Sequence, residues 1–249
     1  MDRIITGISS SLQESVLSDE QIAYLQESIS NIIDNVETVI KGKRKQVELV
    51  VMCMLAEGHV LIEDVPGTGK TSLVSALSKT IDCSFKRIQF TPDVMPSDVT
   101  GFSIYNQKTG EFEFRPGAAM SNIVLADEIN RASAKTQSAM LEIMEERQVT
   151  VDGNTLILEK PFMVLATQNP VDSLGTYQLP EAQIDRFMMK ISLGYPDTED
   201  EVNVIMHGRQ NKREIRSIAT GEMICGMIEL CKNVKVDKTV ADYIVHIVK

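Results

Sequence analysis

The chain of 249 residues lacks the cysteine patterns that form disulfide bonds or bind metal ions in many small domains. Its four cysteines are Cys53, Cys83, Cys225 and Cys231, and none of them forms a C-x-x-C pair. No histidine stands at metal-ligand spacing beside them. Cys53 lies in an apolar run, where the expected role is that of a small buried hydrophobic side chain. This usage is typical of a protein kept in a reducing compartment.

Membrane-targeting signals and a basic surface are also missing. The N-terminus lacks the apolar core and cleavage site of a signal peptide, and the apolar run from Leu49 to Ala56 is too short to span a bilayer. The formal net charge is −10, and the densest basic cluster, Lys41 to Lys45, is expected to be a solvated helix start. We therefore expect a cytoplasmic protein with no membrane insertion and no nucleic acid partner.

Apolar residues are plentiful and well patterned. They make up 43% of the chain, which allows a full hydrophobic core and a second, smaller unit. Helical spacing predicts helices between about residues 18 and 57, after which strand-like and helical segments alternate. The predicted strands are His59–Val65, Phe85–Phe90, Ile123–Asp127, Phe162–Thr167 and Met188–Leu193, and the predicted helices are Thr71–Thr80, Ser133–Arg147 and Pro180–Phe187. This alternation predicts an α/β fold around a parallel sheet of five strands.

Two segments interrupt the alternation and predict β-hairpins. Residues Gly101 to Gly117 alternate around a turn at Lys108–Gly110, and residues Val149 to Leu158 alternate around Asp152–Asn154. The pattern alone leaves open whether these hairpins are functional insertions or decorative loops.

The strand signals stop near Tyr195 and Pro196. Helices are predicted to begin at Thr198 and to cover Met223–Cys231 and Val240–Val248. We therefore expect an α/β unit over residues 1–195 and a helical unit over residues 196–249. The chain ends within a helical pattern with no capping signal, so a truncated helical unit is expected.

The most informative segment follows the first predicted strand and contains Gly67, Gly69, Lys70 and Thr71. Glycines in such a loop let backbone N–H groups turn inward around an anion, and the following helix adds its own N-terminal N–H groups. Lys70 would reach the β- and γ-phosphates of a nucleotide, and the Thr71 hydroxyl would ligate Mg²⁺. The alternative is an ordinary glycine-containing connection. The residues expected to contact the nucleotide here are Pro66, Gly67, Thr68, Gly69, Lys70, Thr71 and Ser72.

One position departs from the full G-x-x-x-x-G-K-[ST] pattern of such loops. Asp64 occupies the place of the first glycine. Because a carboxylate pointing at a triphosphate would repel it, we expect Asp64 to face away from the loop.

Two adjacent carboxylates, Asp127 and Glu128, follow the apolar strand that begins at Ile123. At the carboxyl end of a parallel strand both groups can reach the crevice where ligands bind. Asp127 would hold Mg²⁺ through water, and Glu128 would orient and deprotonate the attacking water. The alternative is that the pair caps the next helix.

Two further polar residues end predicted elements. Asn169 follows a strand and could hold the attacking water, although an asparagine in this position is often a turn former. Arg186 lies at the end of a short predicted helix, where an arginine could reach a γ-phosphate bound to a neighbouring subunit. The alternative for Arg186 is a surface ion pair with Asp185 or Glu181.

The order of four segments closely resembles the MoxR family of AAA+ ATPases. These segments are Glu63–Thr71, Leu125–Ala132, Ala166–Pro170 and Leu179–Phe187, and the string Leu-Ala-Asp-Glu-Ile-Asn-Arg-Ala is the most diagnostic. The resemblance implies an AAA+ P-loop NTPase core in which the two hairpins are the helix-2 insert and the pre-sensor-1 insert, with a partial helical lid. The implied roles are Walker A for Lys70 and Thr71, Walker B for Asp127 and Glu128, sensor 1 for Asn169, arginine finger for Arg186 and adenine contact for Ile40 and Gly42.

The same resemblance implies a function. It predicts Mg-dependent binding and hydrolysis of ATP at the interfaces of a ring, expected to be a hexamer, and chaperone-like remodelling of protein complexes with von Willebrand factor A-domain partners. The family's sensor 2 motif is missing, which fits truncation within the lid. A nucleic-acid motor is one alternative, but the first hairpin tip carries only Lys108 and the second has only the nearby Lys160. A nucleotide-dependent scaffold without turnover is the other, and the joint presence of Asp127, Glu128, Asn169 and Arg186 argues against it.

Overall fold

The structure is a computed structural model that describes residues 17–65, 67–169, 177–195 and 215–249. Its helices are α1 (Asp19–Glu37), α2 (Arg44–Leu55), α3 (Lys70–Thr80), α4 (Pro96–Thr100), α5 (Ala134–Glu146), α6 (Glu181–Ile184), α7 (Gly221–Cys231) and α8 (Lys238–Val248). Its strands are β1 (Val60–Glu63), β2 (Phe85–Gln89), β3 (Gly101–Asn106), β4 (Glu111–Pro116), β5 (Ile123–Asp127), β6 (Gln148–Val151), β7 (Asn154–Ile157), β8 (Met163–Gln168) and β9 (Met189–Ile191).

The helical region predicted for residues 18–57 consists of two helices. Ser18 begins α1 with a capping box, in which its hydroxyl accepts from the Gln21 N–H and the Gln21 side chain accepts from the Ser18 N–H. A turn separates α1 from α2, and Gly42 within it has a φ of 70°, which glycine adopts without strain. The prediction of helices in this region is therefore confirmed, with the two helices separated at residues 38–43.

Five parallel strands form the central sheet in the order β2-β5-β8-β1-β9. All five were predicted from the sequence, and the predicted α/β class is confirmed. Neighbours in this order are distant in sequence, because helices connect the strands across the faces of the sheet. The carboxyl ends of β5, β8 and β1 consequently meet at one edge.

Side chains alternate between the two faces of this sheet, and each face has its own hydrophobic cluster. Val60 and Ile62 of β1 pack in the cluster that contains residues of α1, α2 and α3, whereas Leu61 packs in the cluster around α5. Leu125 of β5 and Leu165 of β8 share the first cluster with Ile62. The same alternation places the next polar residues, two positions further along each strand, on the α3 face.

Both predicted hairpins are present as separate two-stranded ribbons, β3–β4 and β6–β7. The turn of the second ribbon contains Asp152 (φ 51°) and Gly153 (φ 78°), which matches the positive φ values of a tight Asp-Gly hairpin turn. The first ribbon exposes Phe112, whose ring meets that of Tyr105 edge to face at 5.4 Å.

The C-terminal helices differ in how they pack. Helix α7 buries Ile224, Met227 and Ile228 in the first cluster, next to α1, α2 and α3, whereas every residue of α8 is exposed. The predicted helix at Thr198 and the predicted boundary at Pro196 lie outside the described residues, so the division into two units stays a prediction. Over the part of the chain that the structure describes, no helix has the length and hydropathy needed to cross a membrane.

Candidate nucleotide-binding site

A polar cleft of about 350 Å³ lies at the carboxyl edge of the sheet. Three chain segments form it: the loop before α3, the end of β5 and the end of β8, with β2 at one side. The lining residues are Asp64, Gly67, Gly69, Lys70, Thr71, Ser72, Arg87, Gln89, Asp127, Glu128, Thr167, Gln168 and Asn169. The cleft therefore gathers residues from three of the four sequence motifs and from β2.

The loop at the start of α3 has the backbone form that an anion site needs. Gly67 and Gly69 have φ values of 92° and 89°, and open space surrounds the position of a Cβ atom at either residue. Lys70 is the first residue of α3, and its Nζ donates to the carbonyl oxygens of Asp64 at 3.1 Å and Val65 at 2.9 Å. The ammonium group is thus held across the loop, at the positive end of the helix dipole. Pro66 lies outside the described residues.

Asp64 points away from this loop, as its position in the motif predicted. Its Oδ2 accepts hydrogen bonds from the backbone N–H groups of Leu193 at 2.5 Å and Gly194 at 3.0 Å, just after β9. The carboxylate is buried and hydrogen-bonded there. Its hydrogen bonds link the residue that follows β1 to the residues that follow β9. The residue at the first-glycine position therefore has a structural role.

Asp127 is fixed from two sides at the tip of β5. Its Oδ1 accepts from the Thr167 hydroxyl at 2.6 Å, and its Oδ2 accepts from Nε and Nη2 of Arg87 at 3.1 and 2.6 Å. Only 8% of the residue is exposed. These hydrogen bonds fix the direction of the carboxylate in the cleft, so Asp127 is suited to act as a ligand for a cation.

Glu128 turns into the cleft through an unusual backbone conformation. Its φ of 57° and ψ of 48° lie in the left-handed region, and its N–H donates to the Thr167 hydroxyl at 2.8 Å. Its Oε2 accepts from Gln89 Nε2 at 2.9 Å and from Arg131 Nη1 at 3.1 Å. Helix α5 is capped by another residue, Ser133, so the two carboxylates do not serve as its cap.

Arg87 and Gln89 are two cleft residues that the sequence analysis did not select. They lie on β2, two positions apart, and therefore point to the same face of the sheet as Asp127. The strand β2 lies at the edge of the sheet and also carries Lys86, so no feature of its sequence distinguishes Arg87 and Gln89. They were missed because no motif includes them.

The remaining predicted residues fall into two groups. Thr71, Ser72 and Asn169 line the cleft, whereas Thr68 is buried and donates its hydroxyl to the Val65 carbonyl at 3.4 Å. Arg186 does not line the cleft of its own chain. Its Nη2 pairs with Glu145 Oε2 on α5 at 3.1 Å, so its partner is neither Asp185 nor Glu181.

The predicted adenine contacts also lie outside the cleft lining. Ile40 is buried in the first hydrophobic cluster beside Val36 and Val47, and Gly42 forms the turn before α2. Their contact with a base stays a prediction.

The donor set fits Mg²⁺ better than a transition metal. In residues 17–65, 67–169, 177–195 and 215–249, no three His, Cys, Asp or Glu side chains converge on one point. Mg²⁺ is bound in proteins through one or two carboxylates together with water and phosphate oxygens. Asp127 and the Thr71 hydroxyl, which line the same cleft as the loop glycines, supply that kind of partial set.

Comparisons with known proteins agree with this geometry. A family model described as the ATPase family associated with various cellular activities (AAA) matches residues 59–189. The Bacillus subtilis protein named Uncharacterized protein YeaC is 52% identical over 223 residues, covering 89% of this chain and 70% of that protein. Chaperone MoxR1 of Mycobacterium tuberculosis is 41% identical over 230 residues, covering 92% of this chain and 61% of MoxR1.

A solved structure shares the fold. The crystal structure of a candidate ATPase from Cytophaga hutchinsonii superposes with a TM-score of 0.84 at 44% identity, covering 91% of this chain and 69% of that one. The chain thus spans 61% to 70% of the lengths of these relatives. Together with the matched family model, these identities show that the chain belongs to the MoxR family of AAA+ ATPases.

Proposed function

We propose that the cleft binds Mg·ATP and that the full-length protein hydrolyses it to drive chaperone-like remodelling of protein complexes. The observation that carries this proposal is the Thr167 hydroxyl, which donates to Asp127 and accepts from the Glu128 N–H. This one side chain sets a metal-binding carboxylate beside a second carboxylate. Both carboxylates line the cleft that the Gly67–Thr71 loop also lines.

The loop residues supply the charge and the donors for phosphate. Lys70 donates to two carbonyl oxygens among the described residues, and an ammonium group carries three N–H donors, so one remains for a phosphate oxygen. The N-terminal N–H groups of α3 add further donors. Mg²⁺, held by Thr71 and through water by Asp127, would neutralise phosphate charge and orient the phosphoryl group when bound.

Glu128 acts as the base in this proposal. Its carboxylate would accept a proton from the water that attacks the γ-phosphate, and Asn169 would orient the same water. Gln89 and Arg131 both donate to one oxygen of Glu128, which fixes the direction of the carboxylate. A carboxylate held in place in this way loses less rotamer freedom when it meets the water.

The proposal extends to a ring, expected to be a hexamer, in which Arg186 completes the site of a neighbouring subunit. Arg186 lies outside its own cleft, and its side chain is 37% exposed beside Glu145. A half-exposed arginine held by a single exposed carboxylate can change partners at low cost. The chaperone-like role rests on the likeness to Chaperone MoxR1, and von Willebrand factor A-domain partners rest on the family resemblance.

Glu128→Gln separates binding from chemistry. The amide keeps the shape of the side chain but cannot accept a proton, so ATP turnover in the full-length protein should fall about 10²–10⁴-fold. ATP affinity, measured by calorimetry, should stay at the wild-type value. Glu142→Gln, an exposed substitution on α5, is the matched control and should leave both quantities unchanged. Wild-type turnover in Glu128→Gln would show that another group is the base.

A further inference from the structure

Arg87 has an unusual place for a cation, since it lies in the cleft where Mg²⁺ is proposed to bind. Its Nε and Nη2 both donate to Asp127 Oδ2, at 3.1 and 2.6 Å, while its side chain is 45% exposed. The side chain comes from the adjacent strand β2, which pairs with β5 in parallel register. A guanidinium therefore occupies one oxygen of the carboxylate that a divalent cation would use.

Arg87 is also linked to the second carboxylate through one intermediate. Its Nη2 donates to Gln89 Oε1 at 2.7 Å, and Gln89 Nε2 donates to Glu128 Oε2 at 2.9 Å. The Gln89 amide cannot rotate to suit one partner without losing the other, because its oxygen serves Arg87 and its nitrogen serves Glu128. A continuous chain of hydrogen bonds thus runs from Asp127 through Arg87 and Gln89 to Glu128.

The positive charge of Arg87 should oppose the binding of a metal ion to Asp127. Two cations that share one carboxylate repel each other, and in a cleft of reduced dielectric this repulsion is stronger than in water. The same guanidinium orients Asp127 with two hydrogen bonds, which a point charge such as a lysine ammonium cannot reproduce in that fork geometry. The charge of Arg87 should therefore affect metal binding, whereas its planar shape should affect the orientation of Asp127.

We infer that Arg87 is a positioning residue that competes with the metal for Asp127 and, through Gln89, couples the metal ligand to the base. Its charge keeps the metal loosely bound, and its planar fork keeps Asp127 and Glu128 aligned. This inference rests on the proposed function for the identity of the metal site, and its direct test does not require turnover.

The test is a titration of Mn²⁺, a spectroscopic substitute for Mg²⁺, in the presence of ADP and followed by electron paramagnetic resonance. Arg87→Met removes the charge and should bind Mn²⁺ about tenfold more tightly than the wild type, corresponding to the loss of about 1.4 kcal/mol of repulsion. Arg87→Lys keeps the charge and should bind Mn²⁺ as the wild type does. Lys86→Met, an exposed neutralisation one position earlier on β2, controls for net charge and should change nothing.

Turnover of ATP in the full-length protein gives the second readout. Arg87→Lys and Gln89→Leu each break the hydrogen-bonded chain and should lower kcat about tenfold or more, with the KM for ATP unchanged. A merely structural role would instead lower protein stability and shift kcat and KM together.

The outcomes separate the inference from the proposed function. Equal Mn²⁺ affinity in the wild type and Arg87→Met would overturn the inference, whatever the ATPase result. Tighter Mn²⁺ binding by Arg87→Met in a protein that does not hydrolyse ATP would uphold the competition and overturn the proposed hydrolysis. Unchanged kcat in both Arg87→Lys and Gln89→Leu would overturn the coupling to the base.

Discussion

Strand β1 begins in one polar cluster and ends in another. At its start, His59 Nδ1 accepts from the Val164 N–H and its Nε2 lies 3.0 Å from the Met144 carbonyl oxygen, so both ring nitrogens are bonded. Beside it, Glu57 pairs with three cations, Arg147, Lys160 and Lys232, from three different parts of the chain. At its end, the strand leads through Asp64 into the cleft.

The difference lies in what surrounds the charges. In the cluster at the start of β1 (the starting cluster: Glu57, His59, Arg147, Lys160 and Lys232), the histidine ring nitrogens and the Glu57 carboxylate all find partners within the chain. These contacts join the segments that follow α2, α5 and α7. In the cleft, Thr167 and Arg87 hold Asp127, Gln89 and Arg131 hold Glu128, and both carboxylates also line a cavity. A polar cluster that uses all its own bonds stabilises the fold, whereas one that borders a cavity can accept a ligand.

The largest effect should come from a residue outside both clusters. In full-length protein, Arg186→Ala should lower ATP turnover about 10³–10⁵-fold while ATP binding persists, because an arginine from a neighbour stabilises transition-state charge. Mixing Arg186→Ala with Glu128→Gln subunits should restore part of the activity, since some interfaces then combine an intact Glu128 with an intact Arg186.

A cis arginine would behave differently in that mixture. Both groups would then serve one subunit, and every site in the mixture would stay defective. No recovery on mixing, with subunit exchange confirmed by labelled protein, would exclude action across the interface. Glu145→Ala removes the partner of Arg186 and should leave turnover close to the wild-type value.

The starting cluster should control how stability depends on pH. Burial lowers the pKa of His59 from 6.5 to about 4, a hydrogen bond to the Met144 carbonyl partly offsets this shift, and the charge of Arg147 adds to it. The unfolded chain therefore binds a proton at a pH where the folded chain does not. The stability that neutral His59 contributes to the folded state is fully present above pH 6.5 and is lost as the pH falls to about 4. The free energy of unfolding should change by about 3 kcal/mol over this range.

His59→Gln provides the check on this pH dependence. The variant does not titrate, so its unfolding free energy should change less than that of the wild type between pH 6.5 and pH 4, as measured by urea denaturation. Burial alone would raise the pKa of Glu57, but hydrogen bonds from Lys232, Lys160 and Arg147 outweigh it and lower that pKa to about 2. The stability that ionised Glu57 contributes is therefore lost only as the pH falls below 4.5, and this loss is the same in the wild type and in His59→Gln. Parallel pH profiles for the two proteins would mean that His59 does not carry the effect.

The smallest of these effects concerns the loop. Lys70→Ala removes a charged donor to phosphate, which is worth about 1.5–3 kcal/mol, so ATP should bind roughly 10–100-fold more weakly by calorimetry. Lys79→Ala removes an exposed lysine from the last turn of the same helix and serves as the control. Equal ATP affinity in Lys70→Ala and the wild type would rule out the loop as the phosphate site.

Sequence patterns predicted the scaffold and the motif residues because each depends on local periodicity or on a short string. The five strands, both hairpins and the outward direction of Asp64 followed from such signals. Arg87 and Gln89 could not be found in this way, since their importance comes from the pairing of β2 with β5, which brings together residues about forty positions apart. The link from Arg186 to Glu145 is likewise a tertiary contact without a sequence signature.

The most direct measurement of the central claim is hydrogen exchange of the full-length Glu128→Gln protein with and without Mg·ATP. The segments that precede and follow β1 are then compared in one experiment. The account predicts slower exchange for amides in residues 67–72 when Mg·ATP is present, because their N–H groups surround the phosphates. Amides in residues 57–60 should exchange at the same rate in both conditions. Unchanged exchange at residues 67–72, or protection confined to residues 57–60, would contradict the assignment of the cleft as the nucleotide site.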